Sequence, residues 1–119
     1  MTYLTYLVNI YKIDERSKLE KRVAHYDLQS IKELIKDNQF FITGSARTCY
    51  TALGFTDEDA LDIIHNLSNK DLFKSMTSYH DHSIWQDVYY KTVDTLKLYI
   101  KLQVNDKAIV ISFKENKND

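Results

Sequence analysis

Lys97, Tyr99, Lys101 and Lys114 are the residues of this chain whose types and spacing suggest shared chemistry. In "LKLYIKLQV", Leu96, Leu98, Ile100, Leu102 and Val104 alternate with Lys97, Tyr99, Lys101 and Gln103, the period of a half-buried strand. "ND" at 105–106 marks a tight turn, and "KAIVISFK" returns. Setting Ile109, Ile111 and Phe113 of the return strand towards the core puts Lys114 on the face that carries Lys97, Tyr99 and Lys101. A one-residue slip would instead bury Ser112 and Lys114. A face of this kind suits RNA cleavage without a metal. There the 2′-hydroxyl attacks the adjacent phosphorus, negative charge builds on the phosphoryl oxygens, and the 5′-oxygen leaves. Lysines hold the phosphate and stabilise that charge. A tyrosine donates or relays a proton, or stacks on a splayed base. The same pattern also fits solvated lysines around a packing tyrosine, so a non-catalytic binding module stands beside the catalytic reading.

The stretch "SYHDHSIWQD" at 78–87 offers different chemistry. His80, Asp81, His82 and Asp87 bring ligand types that a metal phosphodiesterase would use. Residues 80 and 82 would share a side of a strand. A turn fits them better, and no other suitably spaced ligand set accompanies them. Trp85 reads as packing. His25, before a helix, and His65, on one, read as structural residues, and Cys49 as packing within a helix, with no activating partner in view.

These residues need a scaffold. The 119 residues suit one domain, and 44% hydrophobic with 28% charged residues is a globular composition. One cysteine excludes an internal disulfide and fits a reducing compartment. No apolar run is long enough to span a bilayer, and "MTYLTYLVNIYKIDERSK" lacks a basic n-region and a cleavage site. The expectation is a cytoplasmic protein with no membrane contact. Net charge is −1, which excludes a generally basic nucleic-acid binder, yet Lys91, Lys97, Lys101, Lys107 and Lys114 make the C-terminal part locally positive.

With two glycines and no proline, Asn, Asp, Ser and Thr must supply the caps and turns. Asp27 caps a first helix bearing Leu28, Ile31, Leu34 and Ile35, which ends at "DNQ". Phe40, Phe41 and Ile42 form a short extended run. Ser45 is the expected cap of a second helix that Gly54 ends, and Thr56 of a third. Asp57, Glu58 and Asp59 suit the positive end of that third helix and need no metal to explain them. Strands over residues 73–79 and 84–90 precede the hairpin. Helices followed by an antiparallel sheet make an α+β fold. Residues 1–19 read as an N-terminal extension of mixed period, and 20–119 as a single domain.

"DLFKSMTSYHDHSIWQDVY", together with "LYIKLQV" and "IVISFKE", resembles the motility quorum-sensing regulator toxin family. "KRVAHYDLQSIKELI", "TGSARTCYTALGF" and "IIHNLSNKDLFKSMT" extend the resemblance over roughly residues 20–115. It implies a RelE-like toxin fold and a metal-independent endoribonuclease, without cofactor, that cleaves mRNA and stops translation. It implies a cognate antitoxin encoded nearby, with a zinc-binding part and a helix-turn-helix part, and contact with operator DNA only through the toxin–antitoxin complex. Carried over residue by residue, the family's functional positions fall on Lys74, Gln86, Tyr99 and Lys114. Lys74 and Lys114 would face the phosphate, Tyr99 would transfer a proton or stack, and Gln86 would orient the substrate. Lys97, Lys101 and His82 would contact the RNA. The resemblance matches a histidine at His82 but a small polar residue at His80, which speaks against a histidine pair acting as a unit.

Overall fold

The computed structural model describes residues 10–13 and 19–117; the reading of the remainder of residues 1–19 lies outside them. The elements run β1 (Ile10–Ile13), β2 (Leu19–Lys21), α1 (Leu28–Lys36), β3 (Phe40–Ile42), α2 (Gly44–Ala52), α3 (Asp57–His65), a 3-10 turn (Asn69–Asp71), β4 (Leu72–Thr77), β5 (Trp85–Val93), β6 (Leu96–Asn105) and β7 (Lys107–Glu115). The strands form one sheet in the order β1-β2-β4-β5-β6-β7-β3. Every neighbouring pair is antiparallel except β3 with β7. The fold is α+β, as the order of helical and strand patterns predicts.

Capping chemistry sets the helix starts. Asp27 accepts from Ser30 N at the head of α1. Thr56 and Asp59 close a reciprocal capping box on α3. Next to it, Asp57 pairs with Arg47 at 3.0 Å and accepts from the Tyr50 hydroxyl. The acidic cluster therefore serves the helix end and its α2 neighbour. The helices lay Leu28, Ile31, Ala46, Tyr50, Ala60 and Ile64 on one face of the sheet, against Tyr89, Leu98, Ile100, Leu102 and Phe113.

Two expectations need correction. Thr43, not Ser45, caps α2. Its hydroxyl accepts from Ala46 N and donates to the Ile111 carbonyl at 2.9 Å, so a tertiary partner decides between two residues with equivalent local chemistry. The core side of β7 is also not Ile109, Ile111 and Phe113. Ile109 and Ile111 are half-buried, whereas Ala108, Val110 and Phe113 are buried. The ladder pairs Lys101 with Ser112 but Leu102 with Val110, so Ile111 is the extra residue of a bulge that flips the side-chain alternation. The bulge is held from outside the hairpin. β3 pairs Phe40 with Ala108 and Ile42 with Val110, and Thr43 takes the Val110 and Ile111 carbonyls. Lys114 lies on the far side of the bulge, so its placement opposite Tyr99 holds.

The approach to α1 is fastened to the middle of the sheet. Asp87, fully buried on β5, accepts from His25 N at 3.0 Å and Tyr26 N at 2.9 Å. The Tyr26 hydroxyl donates to the Trp85 carbonyl at 2.7 Å, His25 stacks on the Trp85 ring, and Lys21 Nζ lies 4.2 Å from the same ring centroid. Asp87→Ala would take the acceptor from two part-buried backbone N–H groups, those of His25 and Tyr26. We expect it to lower the unfolding free energy by about 3 kcal/mol, read from the shift in urea midpoint.

Candidate RNA-binding and catalytic face

Alternation along the strands sorts residues between two faces. On β5, Trp85, Asp87 and Tyr89 point to the helices, which turns Gln86, Val88 and Tyr90 to the side away from the helices, open at Lys97 and Lys114 but buried at Gln86 and Val88. Cross-strand register carries the same face to β6 as Lys97, Tyr99, Lys101 and Gln103, and to β7 as Ser112 and Lys114. On β4 it carries Lys74 and Met76, opposite Val88 and Gln86, and on β2 it carries Glu20, opposite Met76. Lys74, Gln86, Tyr99 and Lys114 therefore share one face of the sheet.

Within that face they form two groups. Tyr99 and Lys114 are cross-strand neighbours, with Lys114 Nζ 5.0 Å from the Tyr99 ring centroid and Lys101 Nζ 5.9 Å from it. An aromatic row continues from Tyr99 to Tyr90 at 6.0 Å and on to Phe73 at 4.4 Å. Lys74 Nζ sits 5.3 Å from the Phe73 ring, so a lysine stands at each end of the row. Gln86 lies apart from it. Its amide donates to Gln103 Oε1 at 2.9 Å, and Gln103 is four residues along β6 from Tyr99, about 13 Å away at strand rise. Lys97 lies beyond Tyr99 in the other direction, opposite Thr92. His82 sits in the loop between β4 and β5, past the Gln86 end. Ser78 N donates to the Ile84 carbonyl to close that loop, and Ser83 donates to Asp81. The Ser83 hydrogen bonds hold the Asp81 carboxyl below its ordinary range. His80 and His82 are exposed there, whereas Asp87 is spent on the opposite face.

Pattern reading missed Glu20, Phe73 and Tyr90. Glu20 places Oε1 2.5 Å from Lys74 Nζ, with side chains only 6% and 18% exposed. It is the only carboxylate on the open side among the described residues of β2 to β7; Asp87 and Glu115 alternate to the other face. Phe73 was hidden by the irregular register between Leu72 and Lys74. The parity that turns Gln86 away from the helices would have found Tyr90.

Burial first, and then the neighbouring Tyr90 and Glu20, push the Tyr99 hydroxyl up to about 12. At neutral pH Tyr99 is therefore a protonated phenol that can give a proton or a hydrogen bond and is poorly suited to taking a proton.

The family model described as motility quorum-sensing regulator, toxin of MqsA, matches residues 23–115. This chain belongs to the motility quorum-sensing regulator toxin family. The mRNA interferase toxin MqsR of Escherichia coli (strain K12) is 39% identical over 97 residues, which cover 82% of this chain and 99% of that protein. All the residues carried over from the family lie inside the matched segment. Glu20 lies just before it and is nonetheless bonded to Lys74, so in this chain the face extends to β2.

The geometry has two measurable consequences. Glu20→Gln leaves the Lys74 ammonium beside a neutral partner and should cost about 3 kcal/mol of stability. Adding Lys74→Met should recover most of that loss in a double-mutant cycle read by urea denaturation. The second consequence concerns alkaline pH. Tyr99, and Tyr50 buried beside Asp57, are both lifted to about 12 from an ordinary 10. Because the folded state favours the neutral phenols, their contribution is full below pH 10 and is lost as pH rises from 10 through 12. The urea midpoint should fall across that window, and less steeply for Tyr99→Phe than for the wild type.

Proposed function

We propose that this protein is a toxin that cleaves mRNA as a metal-independent, sequence-specific endoribonuclease and so inhibits translation. The observation that carries this reading is the pairing of Lys114 with a protonated Tyr99 on an open, lysine-bearing sheet face, with Lys74 at the other end of the aromatic row. RNA laid along the row meets an ammonium at either end, Lys114 beside the scissile phosphate at Tyr99 and Lys74, paired with Glu20, beside a neighbouring one; the charge that builds in the transition state falls next to Lys114. The 2′-oxygen attacks phosphorus and loses its proton to water. The P–O5′ bond breaks, and Tyr99 protonates the departing 5′-oxygen, leaving a 2′,3′-cyclic phosphate and a 5′-hydroxyl. Gln86 orients the substrate through its amide, together with Gln103. Lys97, Lys101 and His82 contact the flanking RNA. The relative's name, mRNA interferase toxin, supports the same substrate class.

The family description names a toxin of MqsA, which supports a cognate antitoxin as partner. In this reading the antitoxin is encoded nearby and carries a zinc-binding part and a helix-turn-helix part. The pair reaches operator DNA through the antitoxin, and the toxin acts in the cytoplasm, where its substrate is made.

Purified protein incubated with a defined RNA in excess chelator should produce fragments with 5′-hydroxyl ends. Tyr99→Phe should slow that cleavage by about 10²- to 10⁴-fold, the range for loss of a positioned proton donor, and Lys74→Ala should slow it as well. RNA that is bound but stays intact would mark a binding module instead. Full activity in both variants would reject the assigned roles.

A further inference from the structure

The bulge at Ile111 has a consequence at the edge of the sheet. β3 covers the outer side of β7 only at Ala108, Ile109 and Val110. Beyond the bulge, the edge that carries Lys114 has no strand partner among the described residues, and α2 runs alongside instead. Between the end of α2 and this edge lies a cleft of about 630 Å³, within the size range of small-molecule sites. One wall is Ala52 and Leu53; the other is Tyr99 and Lys114, with Glu115, Asn116 and Lys117 where β7 ends, so that two lysines face one carboxylate. The Asn116 backbone N–H donates to the Lys97 carbonyl at 2.8 Å, which holds that end against β6.

The lining has the composition that a nucleotide requires. Ala52 and Leu53 offer an apolar surface, and Tyr99 offers a ring edge and a hydroxyl. The Asn116 amide carries both donor and acceptor for the edge of a base. Lys114 and Lys117 bring cations for the phosphates on either side of it. A splayed base of single-stranded RNA is the RNA element that enters such a cleft. Because Tyr99 and Lys114 line both the cleft and the proposed reaction centre, its occupant must be the immediate neighbour of the reacting phosphate.

We propose that this cleft is a nucleobase subsite that receives the base adjacent to the scissile phosphate and so sets one position of the cleavage sequence. The inference rests on the ribonuclease reading above. Ala52 is exposed, so Ala52→Phe narrows the cleft without touching the core. Cleavage ends mapped over a randomised RNA pool should show the base preference at one position beside the cut changing at least tenfold, with the preferences elsewhere retained. Cys49, the chain's one cysteine, also lines the cleft and gives a second measurement on the wild-type protein. A 2′-O-methylated oligoribonucleotide of the mapped sequence, at saturation, should slow maleimide alkylation of Cys49 at least fivefold. Wild-type protein that cuts no RNA overturns the ribonuclease reading and this subsite with it. A wild type that cuts, with folded Ala52→Phe keeping the same preference at every position, overturns the subsite alone. Should Ala52→Phe prove unfolded by circular dichroism, alkylation unchanged by the saturating oligonucleotide overturns the subsite in its place.

Discussion

The buried carboxylate of Asp87 is the constraint on which the remaining architecture rests. A charge without access to solvent is costly unless donors surround it, and here the donors are the backbone N–H groups of His25 and Tyr26. That choice ties the link between β2 and α1 to the centre of β5. The tie is reinforced by Trp85, which accepts from the Tyr26 hydroxyl, stacks with His25 and lies under the Lys21 ammonium. Lys21 and Asp87 also attract one another, which partly offsets the lowering of the Lys21 ammonium's pKa by burial. Because β5 alternates, the residues between these anchors are committed to the other face. Gln86, Val88 and Tyr90 face away from the helices because Trp85, Asp87 and Tyr89 are held on the helix side.

The open face divides its chemistry by charge. Cations surround Tyr99 from β6 and β7, while the carboxylate of Glu20 engages the lysine at the far end of the aromatic row. An ammonium held against a buried carboxylate has a defined position, which a free lysine chain on a strand surface lacks. The aromatic row between the lysines is packed within itself, and the Arg22 guanidinium lies 4.9 Å from the Phe73 ring centroid. Phe73 and Tyr90 are nearly parallel, with an interplanar angle of 12°. The protonated state of Tyr99 comes from the same packing, because burial of the phenol raises its pKa more than either neighbour does.

Much of this was legible in the sequence, and the misses have a common cause. The alternation of β6 and the position of Lys114 could be read because both are local periodicities whose alternative buries lysine and serine. The helix starts at Asp27 and Thr56 were legible because capping needs only residues within one turn. Thr43 and the bulge at Ile111 were not. Each depends on the other across 68 positions, and nothing near either residue distinguishes it from its neighbours. Asp87 and Glu20 were opaque for the same reason. Their partners are 61 and 54 positions away in the chain, and in the case of Asp87 they are backbone groups, which carry no residue signature. Gln86 and Lys74 came from family resemblance alone. The structure puts both on the predicted face, yet separates Gln86 from Tyr99 by about 13 Å of strand.

That separation bears on what a glutamine can do there. In the proposed reaction, a Gln86 amide bonded to Gln103 about 13 Å of strand from Tyr99 would act on a different part of the substrate from the proton donor. A nucleic-acid backbone that follows the face from Tyr99 towards Gln103 instead brings a different nucleotide to the amide pair. Paired with Gln103, the Gln86 side chain keeps one amide hydrogen and its carbonyl oxygen in a fixed orientation, the groups that read a base edge. The bulge works in the opposite direction along the same strands: it leaves the β7 edge beside Lys114 to α2, with a cleft between them. On the proposed reading, position along β6 would separate the chemistry at Tyr99 from recognition at Gln103, and both places depend on a register held from the helix side by Asp87 and, at the far edge, by Thr43.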